Sequence, residues 1–123
     1  MPIMAGMSDQ PELSAEDKKL VTLARATRAR IGAAEGAAAR DTDGRTYAAA
    51  TVALPSLQVS AVQACVAMAV ASGSTGVDAI VVLGESVMLD DADKAVLGDF
   101  AGASGVQVHV GDPRGAIRTT LEI

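Results

Sequence analysis

The chain has no tryptophan, and tyrosine and phenylalanine occur once each, as Tyr47 and Phe100. With so few aromatics there is no platform on which nucleobases could stack, and a formal net charge of −5 also opposes a phosphate backbone. Nucleic acid is therefore not an expected partner. A single cysteine, Cys65, permits no internal disulfide, which suits a reducing, cytoplasmic compartment. Residues 46–77 contain no Asp, Glu, Lys or Arg. Pro55, Ser56, Gln58, Ser60, Gln63, Ser72 and Gly73 interrupt that stretch, so nothing reaches the ~18 consecutive apolar residues of a membrane span. Residues 1–11 carry no basic cluster ahead of an apolar run, so neither a secretory signal nor a transit peptide is expected.

What is present is small and aliphatic. Among 123 residues there are 25 alanines and 14 valines. A chain of this length forms one domain, here with a core of short side chains that must pack closely, each buried methyl contributing ~1 kcal/mol or less. Charge is segregated: residues 17–45 sum to +3 and residues 78–123 to −5. The uncharged middle is read as the structural centre of the domain or as a face covered by sister subunits. The expected organisation is a flexible arm over residues 1–13 and a single domain over residues 14–123.

Ser14 followed by Asp17 resembles a capping box, and Leu20, Leu23, Ala24, Thr27 and Ile31 recur at helical spacing. This predicts a first helix that Gly32 stops, with Arg28 and Arg30 at its negative end. Residues 35–40 and 45–52 flank Asp43-Gly44 and read as a hairpin. A second helix is expected over residues 57–72, uncharged on every face and therefore buried all round. Residues 77–83 predict a central strand, Asp90 to Phe100 a third helix, and residues 106–110 a strand with Val106, Val108 and Val110 on one face. Gly111 to Gly115 is a turn, and residues 116–123 suit a last strand. Two strands flanking a helix form a parallel unit, while the hairpin is antiparallel. The expected fold is a three-layer α/β/α sandwich on a mixed sheet.

This order of elements resembles the small zinc-dependent cytidine deaminases over about residues 17–122. The likeness rests also on the Asp43-Gly44-Arg45 turn, on Ala69-Val70-Ala71-Ser72-Gly73 closing the second helix, and on Ala92 to Phe100. The family carries Cys-Ala-Glu at the start of its buried helix and Pro-Cys-Gly-Ala-Cys at the start of the next. The resemblance sets Ser60-Ala61-Val62 at the first motif and Leu89-Asp90-Asp91-Ala92-Asp93 at the second. It implies that a zinc ion on three thiolates, or on one imidazole and two thiolates, activates water in the family. Ser60, Asp90 and Asp93 offer hard oxygen donors instead, better suited to a weakly held cation such as magnesium. Val62 stands where the family keeps its proton-shuttling Glu, and an isopropyl group carries no proton. The family's ribose-holding Asn-x-Glu becomes Thr51-Val52-Ala53, with two fewer residues after it, and its Phe before the first strand becomes Ala33.

The site residues expected from this comparison are therefore the degenerate positions Ser60, Val62, Asp90 and Asp93, and a substrate-pocket remnant at Ala33, Thr51 and Ala53. No zinc or other cofactor is expected. For Asp90 and Asp93 the favoured reading is capping of the third helix, worth ~1 kcal/mol each at best. Cys65 lies about 140° round the helix from Ser60 and reads as a small buried hydrophobe. His109 reads as a solvated or core-edge residue, the Gly111 to Gly115 segment as a turn lacking phosphate-loop spacing, and the Arg25, Arg28, Arg30, Arg40 and Arg45 group as mostly a solvated face. Two functions compete. One is a non-catalytic deaminase-like protein that binds a ligand or a protein partner. The other is a divergent nucleoside deaminase or hydrolase using Ser60, Asp90 and Asp93, with or without a hard metal ion. Relatives are commonly homotetramers, so the resemblance implies a homo-oligomer, dimer or tetramer.

Overall fold

The structure, a computed structural model, describes residues 13–86 and 88–123. The expected arm over residues 1–13 lies, Leu13 apart, outside the described residues. Helix α1 spans Ala15–Ile31. The Ser14 hydroxyl accepts from the Asp17 N–H at 3.1 Å, Glu16 and Asp17 occupy the first turn, and Arg28 and Arg30 the last, which matches the helix dipole. Gly32 ends it. Its buried stripe is Leu20, Ala24 and Thr27, at i, i+4 and i+7. Leu23 and Ile31, expected on the same face, are exposed.

Strands β1 (Gly36–Asp41) and β2 (Thr46–Ala50) form the expected antiparallel hairpin. Its corner is built by Asp41. One carboxylate oxygen accepts the N–H groups of Asp43 and Arg45 and the other accepts the Tyr47 hydroxyl, each at 2.9 Å. Burial alone would raise this carboxyl, but these hydrogen bonds hold it below its ordinary range. Next come β3 (Val52–Leu54), β4 (Leu57–Val59), α2 (Ala61–Ala71), β5 (Val77–Leu83), α3 (Asp91–Asp99), β6 (Gln107–Gly111) and β7 (Ile117–Glu122).

The five-stranded sheet has the order β2-β1-β5-β6-β7. β5 and β6 are parallel and the other neighbours antiparallel, so the sheet is mixed as expected. α1 packs on one face through Leu20 and Ala24 against Ala38, Ala79, Val81 and Leu83. On the other face Val62, Cys65 and Leu97 of α2 and α3 meet Ala37, Ala39, Ile80 and Val108. This is the three-layer α/β/α sandwich. The alanine run of β1 is fully buried on both sides. Gly36 lets α1 approach it, because a Cβ there would lie 2.5 Å from the Ala24 carbonyl oxygen and 2.7 Å from Arg28 Cβ.

Two expectations are corrected. Residues 57–59 are a strand, not helix: β3 and β4 form a small hairpin in which Leu54 pairs with Leu57 across Pro55-Ser56. The helix starts only at Ala61, where Ser60 and Gln63 close a reciprocal capping box. Strands of three residues are too short for periodicity to betray them. Nor is α2 buried all round. Ala61, Val62, Cys65, Val66 and Ala69 face the core, whereas Met68 and Val70 are 38% and 53% exposed. A helix in an outer layer of the sandwich covers the sheet with one face and presents the other outward.

Candidate functional site

Around the carboxyl end of β5, where open α/β sheets bind ligands, lies a cavity of about 570 Å³. The end of α1 contributes Arg28, the entry to β1 Ala34 and Glu35, and the segment after β2 Thr51, Val52 and Ala53. The β4 arm and the α2 cap add Gln58, Val59 and Ser60, and the path from β5 to α3 adds Glu85, Ser86 and Asp90. Four of the expected residues, Thr51, Ala53, Ser60 and Asp90, thus meet in one wall. The other three do not line it. Ala33 is replaced there by its neighbours Ala34 and Glu35, Val62 is fully buried in the core, and Asp93 is 4% exposed.

Ser60 joins two helix starts. Its hydroxyl accepts the Gln63 N–H at 3.0 Å and donates to Asp93 Oδ1 at 2.7 Å, while the Ser60 N–H donates to Gln63 Oε1 at 2.9 Å. Burial, helped by the nearby Asp90 charge, raises the Asp93 carboxyl against the lowering effect of the Ser60 bond. The capping expectation for the aspartates therefore holds in position and is corrected in its hydrogen bonds. Asp90 occupies the N-cap of α3 without a side-chain cap bond, and Asp93 spends an oxygen on Ser60.

Glu35 was not among the expected residues. Its N–H donates to Thr51 Oγ1 at 3.0 Å, and its carbonyl accepts the Thr51 N–H at 3.1 Å and the Thr51 hydroxyl at 3.3 Å. Thr51 therefore fixes the backbone that carries Glu35 into the cavity. Burial, then the charges of Asp93 and Asp90, raise the Glu35 carboxyl above its ordinary range. The available signal was an acidic residue placed directly before the apolar stretch Gly36 to Ala39. Gln58 was missed together with its hairpin.

Residues 13–115 match the family model described as Cytidine deaminase-like. The chain belongs to the cytidine deaminase-like family. Its fold is similar to the crystal structure of cytidine deaminase from Burkholderia pseudomallei, at 22% identity and a TM-score of 0.73 over 89% of this chain and 93% of that one. Cytidine deaminase from Mycobacterium leprae is similar at 20% identity and a TM-score of 0.68, over 89% and 94%. At such identities the likeness is one of fold. None of the curated proteins compared with the chain matches it.

The remaining candidates of this cytidine deaminase-like chain, Arg28 apart, lie away from the cavity. Cys65 is fully buried, with Sγ 3.6 Å from the Tyr47 carbonyl oxygen, and desolvation pushes its thiol up to about 12. Of the two readings of His109, solvated or core-edge, the solvated one is corrected. The residue is 3% exposed, with Nε2 3.0 Å from Asp17 Oδ2 and Nδ1 2.9 Å from Thr120 Oγ1. Arg40 is partly buried and pairs with Asp17, so it leaves the solvated arginine group, whereas Arg45 pairs with Asp41 and Asp43 and stays exposed. Gly111 to Gly115 is the expected turn, held by Asp112, whose Oδ1 accepts from the Arg114 and Ala116 N–H groups.

Proposed function

We propose that this cytidine deaminase-like protein does not deaminate, and that it serves as a ligand-binding module built on the retained cavity. The observation that carries this reading is Val62. At the position the resemblance gives to the proton-shuttling Glu, this chain has a fully buried isopropyl group, outside the cavity wall and without a proton to give or take.

The donor set supports the same reading, because it does not fit zinc. The Ser60 hydroxyl is neutral and commits its proton to Asp93, and no cysteine thiolate lies at either helix start. Among the described residues no three His, Cys, Asp or Glu side chains group so as to hold a metal ion. The divergent-enzyme reading also loses support, since Asp93 lies behind the wall and only Ser60 and Asp90 reach the cavity. We accordingly propose no cofactor, no nucleic-acid or membrane partner and a cytoplasmic location. Among the described residues no helix is long and apolar enough to cross a membrane.

The test is ammonia release from cytidine and deoxycytidine, with the metal content of the same purified sample. The expected result is no ammonia above the blank and substoichiometric zinc. Turnover together with one zinc per chain overturns the reading.

A further inference from the structure

Taking the cavity as a binding site, which rests on the reading above, we propose that its ligand is a small organic cation, an alkyl or aryl ammonium ion, with the Glu35 carboxylate as counter-ion. A volume of about 570 Å³ is that of a small-molecule site. Ala34, Val52, Ala53 and Val59 give part of the wall an apolar surface for a carbon body.

The carboxylate is placed in advance. Thr51 bonds both backbone groups of Glu35, and the side-chain stem lies over Gly84, where a Cβ would come within 2.8 Å of Glu35 Cγ. Among the described residues the Glu35 carboxylate has no hydrogen-bond or ion-pair partner, so a ligand meets an unspent acceptor. The surroundings select its charge. Glu85 and Asp90 share the wall and Asp93 lies behind it, against one guanidinium, Arg28, whose Nε donates to the Ala34 carbonyl at 3.2 Å.

An anion entering here is repelled, and a neutral ligand leaves the negative field uncompensated. A monocation relieves it. A divalent metal suits the site less well, as the carboxylates do not group into a ligand set.

The experiment uses two probes of one shape, benzylammonium and benzyl alcohol, titrated at pH 7 into the isotopically labelled full chain and followed by backbone amide resonances. Benzylammonium should shift the Glu35, Thr51 and Ser60 amides saturably, and benzyl alcohol should bind at least tenfold more weakly. Glu35→Gln should weaken benzylammonium at least tenfold without lowering the melting temperature, whereas Glu122→Gln on β7 should bind it as the parent does. Equal binding of the two probes by the parent chain overturns the proposal, and that comparison needs no variant. Absence of saturation, tighter saturation of the same amides by magnesium, or cytidine binding in place of benzylammonium also overturns it. None of these outcomes alters the ammonia assay, so failure here is separable from failure of the non-catalytic reading.

Discussion

Ser60 is one hydroxyl with two duties, and removing it should cost both. Ser60→Ala deletes the cap of α2, worth ~1 kcal/mol, and strips the buried Asp93 carboxyl of its donor, ~1.5–3 kcal/mol for a bond to a charged group. A loss of about 2–4 kcal/mol is expected as a lower urea midpoint with an unchanged slope, while a chelator leaves the parent chain's midpoint where it was. A midpoint that moves with the chelator would show that metal, not this bond, ties the helix starts. Both residues could be singled out in the sequence, but their bond could not. They stand 33 positions apart, and Ser60 looked like a vacated ligand position before the Gln63 capping box showed it as a helix start. Glu35 escaped notice for a related reason. A lone carboxylate before an apolar strand acquires meaning only when the backbone of Thr51 and the starts of α2 and α3 are brought beside it.

At the scale of elements, α1 is fastened to the sheet by a polar contact beneath its first turn. Asp17 receives Arg40 from β1 at 2.9 Å and lies 3.0 Å from His109 of β6. Burial opposes its ionisation, but these hydrogen bonds and charges prevail and hold its carboxyl below the ordinary range. The unfolded chain therefore binds protons more readily at this position than the folded one. The stabilisation is complete above the unfolded carboxylate range, about pH 4, and is lost as pH falls through the lower folded value. Melting temperature should fall between pH 5 and 3 by roughly 4 °C for each kcal/mol lost, and Asp17→Asn should flatten that dependence. An equally steep curve in the variant would place the acid sensitivity elsewhere.

Most elements were legible in the sequence because their signals are local: the Ser14 cap, Gly32, the Asp43-Gly44 corner and the valine alternation of β6. The β3–β4 hairpin was not, having three residues to a strand. The burial of His109 was not legible either, since its partners come from α1 and β7.

For the whole molecule, the uncharged stretch over residues 46–77 has two fates. Part of it forms the core, and part faces outward as Met68 and Val70 on α2 and Leu54 and Leu57 on the hairpin. We propose that a second copy of the chain covers this surface, in a dimer or tetramer, since apolar faces of this kind are seldom left in water. Light scattering should give a mass at least twice that of the chain, and Val70→Asp should shift it to the monomer without unfolding. A parent chain that is monomeric at high concentration overturns the assignment.

The spacing of the layers is set elsewhere, by Gly36 and the three buried alanines of β1. The side chains that line the cavity are others, on the helix starts and next to these residues, as Glu35 is next to Gly36. The scaffold and the cavity lining are thus written in different, though partly adjoining, residues of the chain. Such a fold can change its trade at Asp90 or Glu35 without rebuilding its middle, whereas a bulkier side chain at Ala37, Ala38 or Ala39 would force the layers apart. The narrowest mutational tolerance should accordingly fall on residues that touch no ligand at all.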